Sequence, residues 1–419
     1  MSNPSARKPA VSFIFVTVAL SVVGFGLLIP VLPKLVVQLQ GEGIASGSYT
    51  YGWLISIYAL MQFVGSPILG ALSDRYGRRR IILIATAGSA ADYVIMAMAP
   101  NLIWFFVART IAGFTAGVLS TANAYIADVT APEKRAQAFG IIGAAFGLGF
   151  AIGPVIGGLL GSIDLRLPFW VAGGCSALNW LWGYFMLPES LKEENRRKFD
   201  WKRANPIGAL LALKRFPAVL ALAESYFILM LSQTMLYSTW ALYMDYRYAW
   251  GPKGIGISLA FVGVASGLVQ GLLIKRIVPR IGDTRAVVLG LCISIAALIG
   301  YGLATHGWMI YVIICVGAFA GIATPALQSY ITKHVPPDEQ GSVQGVLTGL
   351  QSAAGIPGPF IATHSFGWAI SPARSFHIPG IAFFEGALLT AVALLLVARS
   401  FKRDLTLKKL SASIAATSP

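Results

Sequence analysis

Two charged side chains lie in segments that are otherwise apolar enough for a lipid bilayer. Asp92 is in the stretch SAADYVIMAMAP, eight residues before Pro100, and Arg109 follows Pro100 by nine residues. Because a helix rises about 1.5 Å per residue, two antiparallel helices joined at Pro100 would hold both side chains at nearly the same depth. A carboxylate at the bilayer centre costs roughly 2.5–3.5 kcal/mol, so we expect Arg109 to pair with Asp92. Such a pair can couple to a proton or be purely structural, and the sequence leaves both possibilities open.

A second acidic residue, Glu224, stands in the apolar stretch ALAESYFILM. A lone buried glutamate can exchange a proton near neutral pH and act as an acid or a base. We therefore expect Glu224 to be buried and to carry a proton. The alternative is a solvated position at a wide opening of the protein.

Amide side chains indicate where a small molecule would bind. Amides and aromatic faces that line an apolar cavity suit a planar, partly hydrophobic molecule, although each amide could equally bond only a neighbouring helix. The four amides that we select are Gln62, Asn123, Gln233 and Gln328.

The elements that must position these residues are transmembrane helices. Of the 419 residues, 56% are hydrophobic and 12% are charged, with a mean hydropathy of +0.71, whereas a soluble domain has about 25% charged residues. A spanning helix needs about 20 apolar residues. The sequence therefore predicts an all-α membrane protein with twelve transmembrane helices. These cover residues 11–39, 50–72, 81–99, 101–127, 136–162, 167–188, 216–244, 255–274, 286–304, 308–331, 341–365 and 379–398.

Basic residues are distributed unevenly between the two sides of these helices. Of the 32 Lys and Arg residues, 26 lie in the termini and in the loops on the same side, and only five lie in the opposite loops. These five are Lys34, Arg166, Arg247, Lys253 and Arg374. The positive-inside rule then predicts a multi-pass protein of the inner (plasma) membrane with both termini in the cytoplasm. The net charge of +15 thus reflects topology and a lipid bilayer, and we expect no nucleic-acid partner.

Sequence motifs of enzymes and metal sites are missing. The four histidines form no HExxH pattern, and the chain has no G-x-x-x-x-G-K-[ST] loop for a nucleotide. We therefore expect no enzymatic activity, no cofactor and no metal. The expected partners are a small-molecule substrate and protons, and the expected state is a monomer.

The chain contains a repeat that appears when it is aligned with itself at a shift of 205 residues. Tyr125-Ile126 then meets Tyr330-Ile331, and Gly153-Pro154 meets Gly358-Pro359. This predicts two pseudo-symmetric six-helix halves, residues 1–189 and 216–419, joined by a cytoplasmic linker over residues 190–215. Folds of this kind hold the substrate between the halves, near the middle of the bilayer.

A basic loop, GALSDRYGRRR, joins the second and third predicted spans. We expect its glycine to permit a close helix approach, its aspartate to cap a helix or form an ion pair, and its arginines to lie at the anionic membrane face. The spacing G-x-x-x-D-R-x-G-R-R resembles the signature loop of the major facilitator superfamily. That resemblance implies a gating latch between the halves, formed here by Gly70, Asp74, Arg75, Gly77, Arg78 and Arg79.

The fifth predicted span contains GFAIGPVIGG, in which glycines recur every four residues. Bare backbone on one helix face predicts a close helix crossing, and the proline should bend the helix. The pattern also resembles an element of the drug:proton antiporters of the same superfamily, where it implies a hinge and seal typical of exporters. The residues concerned are Gly149, Gly153, Pro154, Gly157 and Gly158.

The order of several segments is similar to that in bacterial tetracycline efflux antiporters. These segments include SDRYGRRR, AADYVIMAMAP, AYIADVT, LPES and TPALQSYIT. The resemblance implies the major facilitator fold and a membrane aspartate at Asp92 that such antiporters need. Three protonatable positions differ, since Ser21 and Ser294 replace aspartates and Ala249 replaces a histidine.

The interpretation that follows is proton-coupled efflux of small amphipathic drugs, such as tetracycline-like compounds. A metabolite facilitator or importer of the same superfamily is the alternative, and a membrane sensor that transports nothing is a third.

Overall fold

Within the ranges given below, the N-terminal part of the protein contains eight α-helices. The computed structural model describes residues 7–131, 134–197, 199, 217–336 and 339–417, and contains no strand within these ranges. Most of the predicted linker, residues 190–215, lies outside them. The helices of the N-terminal half are α1 (Arg7–Leu28), α2 (Leu32–Gln40), α3 (Gly43–Tyr76), α4 (Arg78–Met98), α5 (Leu102–Thr115), α6 (Val118–Val129), α7 (Arg135–Ile163) and α8 (Leu167–Met186).

Over its described residues, the C-terminal half adds nine α-helices and two short irregular turns. A π-helical turn, Val269–Leu273, interrupts one predicted span, and a 3₁₀ turn, Ala318–Ile322, interrupts another. The helices are α9 (Pro217–Tyr248), α10 (Pro252–Leu268), α11 (Ile274–Ile281), α12 (Asp283–Leu303), α13 (Gly307–Gly317), α14 (Ala323–Lys333), α15 (Gln340–Ala354), α16 (Pro357–Ala369) and α17 (Ile381–Thr417).

Most of the predicted spans are recovered as continuous helical runs. Within the described residues, nine runs are long and apolar enough to cross a membrane, and α1 with α2, bent by 42°, would make a tenth. The other two predicted spans correspond to α8, whose mean hydropathy is lowered by three tryptophans and Asn179, and to the broken pair α15 and α16. The structure is consistent with twelve spans.

Several spans that the sequence predicts as continuous are broken, and proline or glycine explains the breaks. Pro30 separates α1 from α2, Gly117 lies between α5 and α6, and Pro357 opens α16 after Gly355. Proline has no amide hydrogen to donate to the preceding turn, so it interrupts the helical hydrogen bonds. The spans predicted over residues 11–39 and 341–365 are therefore each made of two helices, whereas Leu102–Val129 stays one continuous run despite the irregularity at Gly117.

The two halves meet at two antiparallel helix crossings, α7 with α10 and α3 with α16. We call the side on which α1 begins the terminal side, and the opposite side the distal side. In the first crossing Gly158 lies against Pro252 and Gly256, and in the second Gly52 lies against Thr363. All of these residues lie toward the distal side. On the terminal side, positions such as Gly140 in α7 have open space beside them. The halves therefore close the distal side and diverge toward the terminal side.

Candidate functional site

The buried ion pair predicted between α4 and α5 is present. The guanidinium of Arg109 donates from Nη2 to Oδ2 of Asp92, and the two residues are only 5% and 1% exposed. Neighbouring antiparallel helices hold both side chains at one depth, as the spacing around Pro100 predicts. The pairing is confirmed.

The turn between α4 and α5 is held at both of its ends. Asn101 caps α5, because its side chain accepts a hydrogen bond from the amide of Ile103 at 3.2 Å. On the other side Arg166, from the loop before α8, donates to the carbonyl oxygens of Ala97 and Ala99 at 3.0 and 2.8 Å. These bonds satisfy the end of α4 and so set the relative depth of the two helices.

A cavity of about 110 Å³ lies beside the ion pair. Its lining includes Ser21, Ser89 and Tyr58 together with both charged residues, and the Arg109 guanidinium carbon is 5.3 Å from the centroid of the Tyr58 ring. Within the described part of the chain, Oδ1 of Asp92 and Nε of Arg109 are buried without a hydrogen-bond partner. A polar cavity of this size has room for several waters. The arrangement can therefore supply a water, a proton or a polar ligand group to the free carboxylate oxygen.

Close contact between α3 and α5 brings Tyr58 to this site. A Cβ atom at Gly113 would come within 2.7 Å of Cβ of Met61, so only glycine permits this approach. The cation–π contact with the Tyr58 ring, worth about 0.5–2 kcal/mol, partly compensates the guanidinium for its lost hydration. Tyr58 is a site residue that charge spacing alone does not identify.

The equivalent positions in the second half are apolar. At the repeat shift of 205, Asp92 corresponds to Ala297 and Arg109 to Ile314. Both of these residues are buried, in α12 and α13. The second half therefore buries apolar side chains at the positions that correspond to the ion pair.

Glu224 differs from its prediction. The expected burial is wrong, because the structure leaves this side chain exposed on α9, and no hydrogen bond or ion pair involves it among the described residues. The position matches the solvated alternative. Its role as a proton carrier stays a prediction.

The four selected amides lie on two pairs of packed helices, one pair in each half. Gln62 and Asn123 are half-buried on α3 and α6, which pack together, while Gln233 and Gln328 are on α9 and α14. Gln328 donates to the hydroxyl of Tyr226 at 2.9 Å. This bond to a neighbouring helix is the alternative to substrate binding that the sequence left open. Their place in a substrate site stays a prediction. In the described ranges, no group of three or more acidic, histidine or cysteine side chains is placed to hold a metal ion.

The predicted gating loop forms a polar network within the N-terminal half. Arg78 binds Asp74 at 2.5 Å and Asp128 at 3.3 Å, and its backbone amide donates to Glu189 at 2.8 Å. Asp128 and Glu189 are missed by the loop motif, although both lie in the quoted segments AYIADVT and LPES. In this conformation the loop thus holds together the terminal-side ends of α3, α4, α6 and α8.

The other loop residues have simpler surroundings. Arg79 donates to the carbonyl of Tyr184 at 2.5 Å, and Arg75 lies over the Tyr76 ring. Gly77 has a positive φ of +99°, and a Cβ atom at this position would clash with the Glu189 carboxylate. The close helix approach expected at Gly70 is wrong here, because the halves diverge at this end and no heavy atom lies within 4 Å of where its Cβ would stand.

The glycine motif of α7 serves two different crossings. Gly149, Gly153 and Gly157 lie against α1, within the same half, and Pro154 lies inside the helix. Gly158 instead faces α10 of the opposite half, where a Cβ would come within 2.5 Å of the Pro252 carbonyl oxygen. The close crossing predicted from the motif is confirmed, and one of its glycines belongs to the junction between the halves.

The three positions that depart from the resemblance also have defined surroundings. Ser21 lines the cavity beside Asp92 and donates to the Thr17 carbonyl at 2.8 Å. Ser294 is buried in α12. Ala249, after the end of α9, has a φ of +52°, the left-handed region that favours glycine.

Comparisons with known proteins agree with this architecture. A family model described as the Major Facilitator Superfamily matches residues 14–359. The class C tetracycline resistance protein of Escherichia coli is 39% identical over 379 residues, 90% of this chain and 93% of that protein. The class G tetracycline resistance protein of Vibrio anguillarum is 33% identical over 93% of this chain and 97% of its own. The solved human organic anion transporter MFSD10 (TETRAN) is 25% identical with a TM-score of 0.69, and the match covers 94% of this chain and 100% of that one.

Proposed function

This chain belongs to the major facilitator superfamily, a family of transporters rather than enzymes, and from that premise we propose that it exports small amphipathic compounds in exchange for protons. The observation that carries the proposal is the buried pair of Asp92 and Arg109 with an unpartnered carboxylate oxygen beside a cavity. A proton or a polar substrate group at that oxygen would weaken the ion pair. The balance between the two conformations of the halves would then depend on the occupant.

The direction of transport follows from topology. The excess of basic residues in the terminal-side loops supports a cytoplasmic location for that side and for both termini, in the inner membrane. The halves diverge there, so the conformation described above is the one that takes up substrate from the cytoplasm. Opening of the α3–α16 and α7–α10 crossings would release it outside. Since the path lies between the halves of one chain, a monomer suffices.

The substrate class rests on the relatives and on the side chains of the site. Two relatives over 30% identical are tetracycline resistance proteins, which supports planar, polycyclic compounds like tetracycline. The amides Gln62, Asn123, Gln233 and Gln328 and the ring of Tyr58 suit such a molecule. Because Ser21, Ser294 and Ala249 cannot carry a proton, coupling would rely on Asp92, with Glu224 as the second carrier at the cytoplasmic opening.

The test is proton release from acid-loaded inside-out vesicles, followed by dequenching of a fluorescent dye as tetracycline and unrelated drugs are added. Dequenching with at least one compound is expected. It should be lost in Asp92→Asn and Glu224→Gln and kept in the matched control Glu385→Gln, whose carboxylate bonds Ser365 near the outer end of α17. Two results would refute proton-coupled efflux through this site. One is no dequenching with any compound in vesicles whose protein insertion has been verified, and the other is wild-type dequenching in Asp92→Asn.

A further inference from the structure

The distal side carries a recess that the proposed transport mechanism does not use. It has a volume of about 480 Å³ and is lined by Tyr49 of α3, Trp368 of α16 and the loop residues Ser371, Arg374 and Phe376. This volume is within the range of sites for small molecules, about 300–1,000 Å³. We call these five residues the outer recess.

Arg374 supplies the positive charge of the outer recess. Its guanidinium carbon stands 3.3 Å from the centroid of the Trp368 ring, and among the described residues it forms no ion pair. A guanidinium stacked on an aromatic face still presents its N–H groups at its edge, and these suit the two oxygens of an anionic group.

The presence of an arginine here needs an explanation, because the positive-inside rule disfavours basic residues in outer loops. Arg166, another of the five outer basic residues, has a structural one, since it binds carbonyl oxygens at the end of α4. Among the described residues, the Arg374 guanidinium contacts the Trp368 ring but forms no ion pair. Its loop is nevertheless well formed, since Ile378 donates to the Ala369 carbonyl at 3.3 Å and closes its base.

The other walls of the recess combine accessible aromatic side chains with the small residues Ser371, Ala373 and Ser375. Trp368 is 44% exposed and Phe376 is 57% exposed. Large aromatic side chains exposed around an unpaired guanidinium suit a ligand that has both an aromatic ring and an anionic group. We propose that the outer recess binds amphipathic aromatic anions from outside, such as carboxylates, sulfonates or enolates attached to a ring system, and that this binding keeps the distal side closed.

The walls of the outer recess come from both halves of the protein, which links binding to closure. Tyr49 belongs to the N-terminal half, and its ring lies across the α3–α16 crossing against Gly367 and His364. The remaining walls belong to the C-terminal half. Opening of the distal side separates them, so the complete recess exists only in the closed conformation. A ligand that binds one conformation stabilises it, and at ten times its Kd it would lower the ratio of open to closed molecules about elevenfold.

The consequence for efflux, inhibition by an accumulated external product, rests on the proposed function, but binding and closure do not. Both can be measured on the purified protein in phosphatidylcholine nanodiscs without any gradient, using 2-naphthalenesulfonate as the probe and neutral 2-naphthalenesulfonamide as its isostere. Titration calorimetry should show one site for the sulfonate, at least tenfold weaker in Arg374→Gln and unchanged in the control Lys253→Gln. Equal affinity for the sulfonamide, or unchanged affinity in Arg374→Gln, would overturn the proposal.

Closure is read from a cysteine placed at the crossing. Thr363 is buried against Gly52, so Thr363→Cys should react with an impermeant maleimide only when the distal side opens. The sulfonate should slow this reaction severalfold, and Arg374→Gln should abolish the effect while leaving the basal rate unchanged. No effect on the rate in the presence of bound probe would refute coupling to closure. If phosphatidylglycerol in the nanodisc displaces the probe and slows labelling by itself, the recess is a lipid-headgroup site and the proposal is wrong.

Discussion

Replacing Asp92 and Arg109 together should destabilise the protein much less than replacing either one alone. The replacements are given by the molecule itself, since Ala297 and Ile314 occupy the equivalent positions in the second half and are buried there. The three variants are therefore Asp92→Ala, Arg109→Ile and the double variant that combines them.

The expected magnitudes follow from the burial of the pair. Removal of one partner of a buried ion pair leaves an uncompensated charge and costs about 3–5 kcal/mol. The contact of Arg109 with the Tyr58 ring is present before and after Asp92→Ala, so it does not change this loss. Replacement of both partners by apolar residues is often close to neutral, although the smaller side chains would enlarge the adjacent cavity. We expect about 1–3 kcal/mol for the double variant and a coupling energy of at least about 3 kcal/mol.

Reversible unfolding in mixed micelles with increasing sodium dodecyl sulfate measures these free energies, and the double-mutant cycle isolates the coupling. Additive losses, with a coupling energy below about 1 kcal/mol, would refute the view that the two charges stabilise each other. Vesicle assays on the same samples address function. All three variants should be inactive, and a double variant with wild-type proton-coupled efflux would show that the pair is only structural.

Three further predictions concern the backbone. Gly158→Val should prevent closure of the distal side, because the added side chain would meet a backbone carbonyl of the other half. The control Gly140→Val, which has open space beside it, should leave closure intact. Equal maleimide labelling of Thr363→Cys in the two backgrounds would contradict this. Gly77→Ala should lower the free energy of unfolding by more than Gly282→Ala. Both positions have a positive φ with ψ near 150°, a conformation that costs an alanine about 1–3 kcal/mol, but only at Gly77 would the added Cβ also meet a carboxylate. Equal losses in unfolding titrations would exclude a contribution from that clash. Ala249→Gly should leave the free energy of unfolding unchanged or raise it by up to about 1 kcal/mol, because glycine adopts the observed positive φ without strain. The β-branched Ala249→Val should lower it. A valine variant as stable as wild type would contradict the observed φ.

Features that depend on local spacing could be predicted from the sequence. The distances of Asp92 and Arg109 from Pro100 fixed their common depth, and the repeating glycines of α7 predicted its crossing with α1, because helix geometry converts residue numbers directly into positions. The spans themselves followed from apolar length.

Features that depend on distant parts of the chain could not be predicted in the same way. The exposure of Glu224 depends on which elements the fold packs beside α9, which no local pattern encodes. The contact between Arg78 and Asp128 joins residues fifty positions apart, and Gln328 has its partner Tyr226 on another helix. Breaks such as the one at Pro30 were compatible with the sequence, but a proline inside an apolar run can either kink a helix or end it.

The glycines at the two crossings also bear on how much entropy the protein loses in each transport cycle. A long side chain that becomes ordered when a surface closes loses about 1.5–2 kcal/mol of rotamer freedom, whereas glycine loses none. At Gly158, Gly256 and Gly52 the halves approach through backbone atoms or through a single small side chain. Few rotamers therefore have to be ordered each time the distal side closes and released each time it opens. Such a junction allows the two conformations to remain close in free energy. The binding of one proton or one substrate molecule is then enough to change which conformation has the lower free energy.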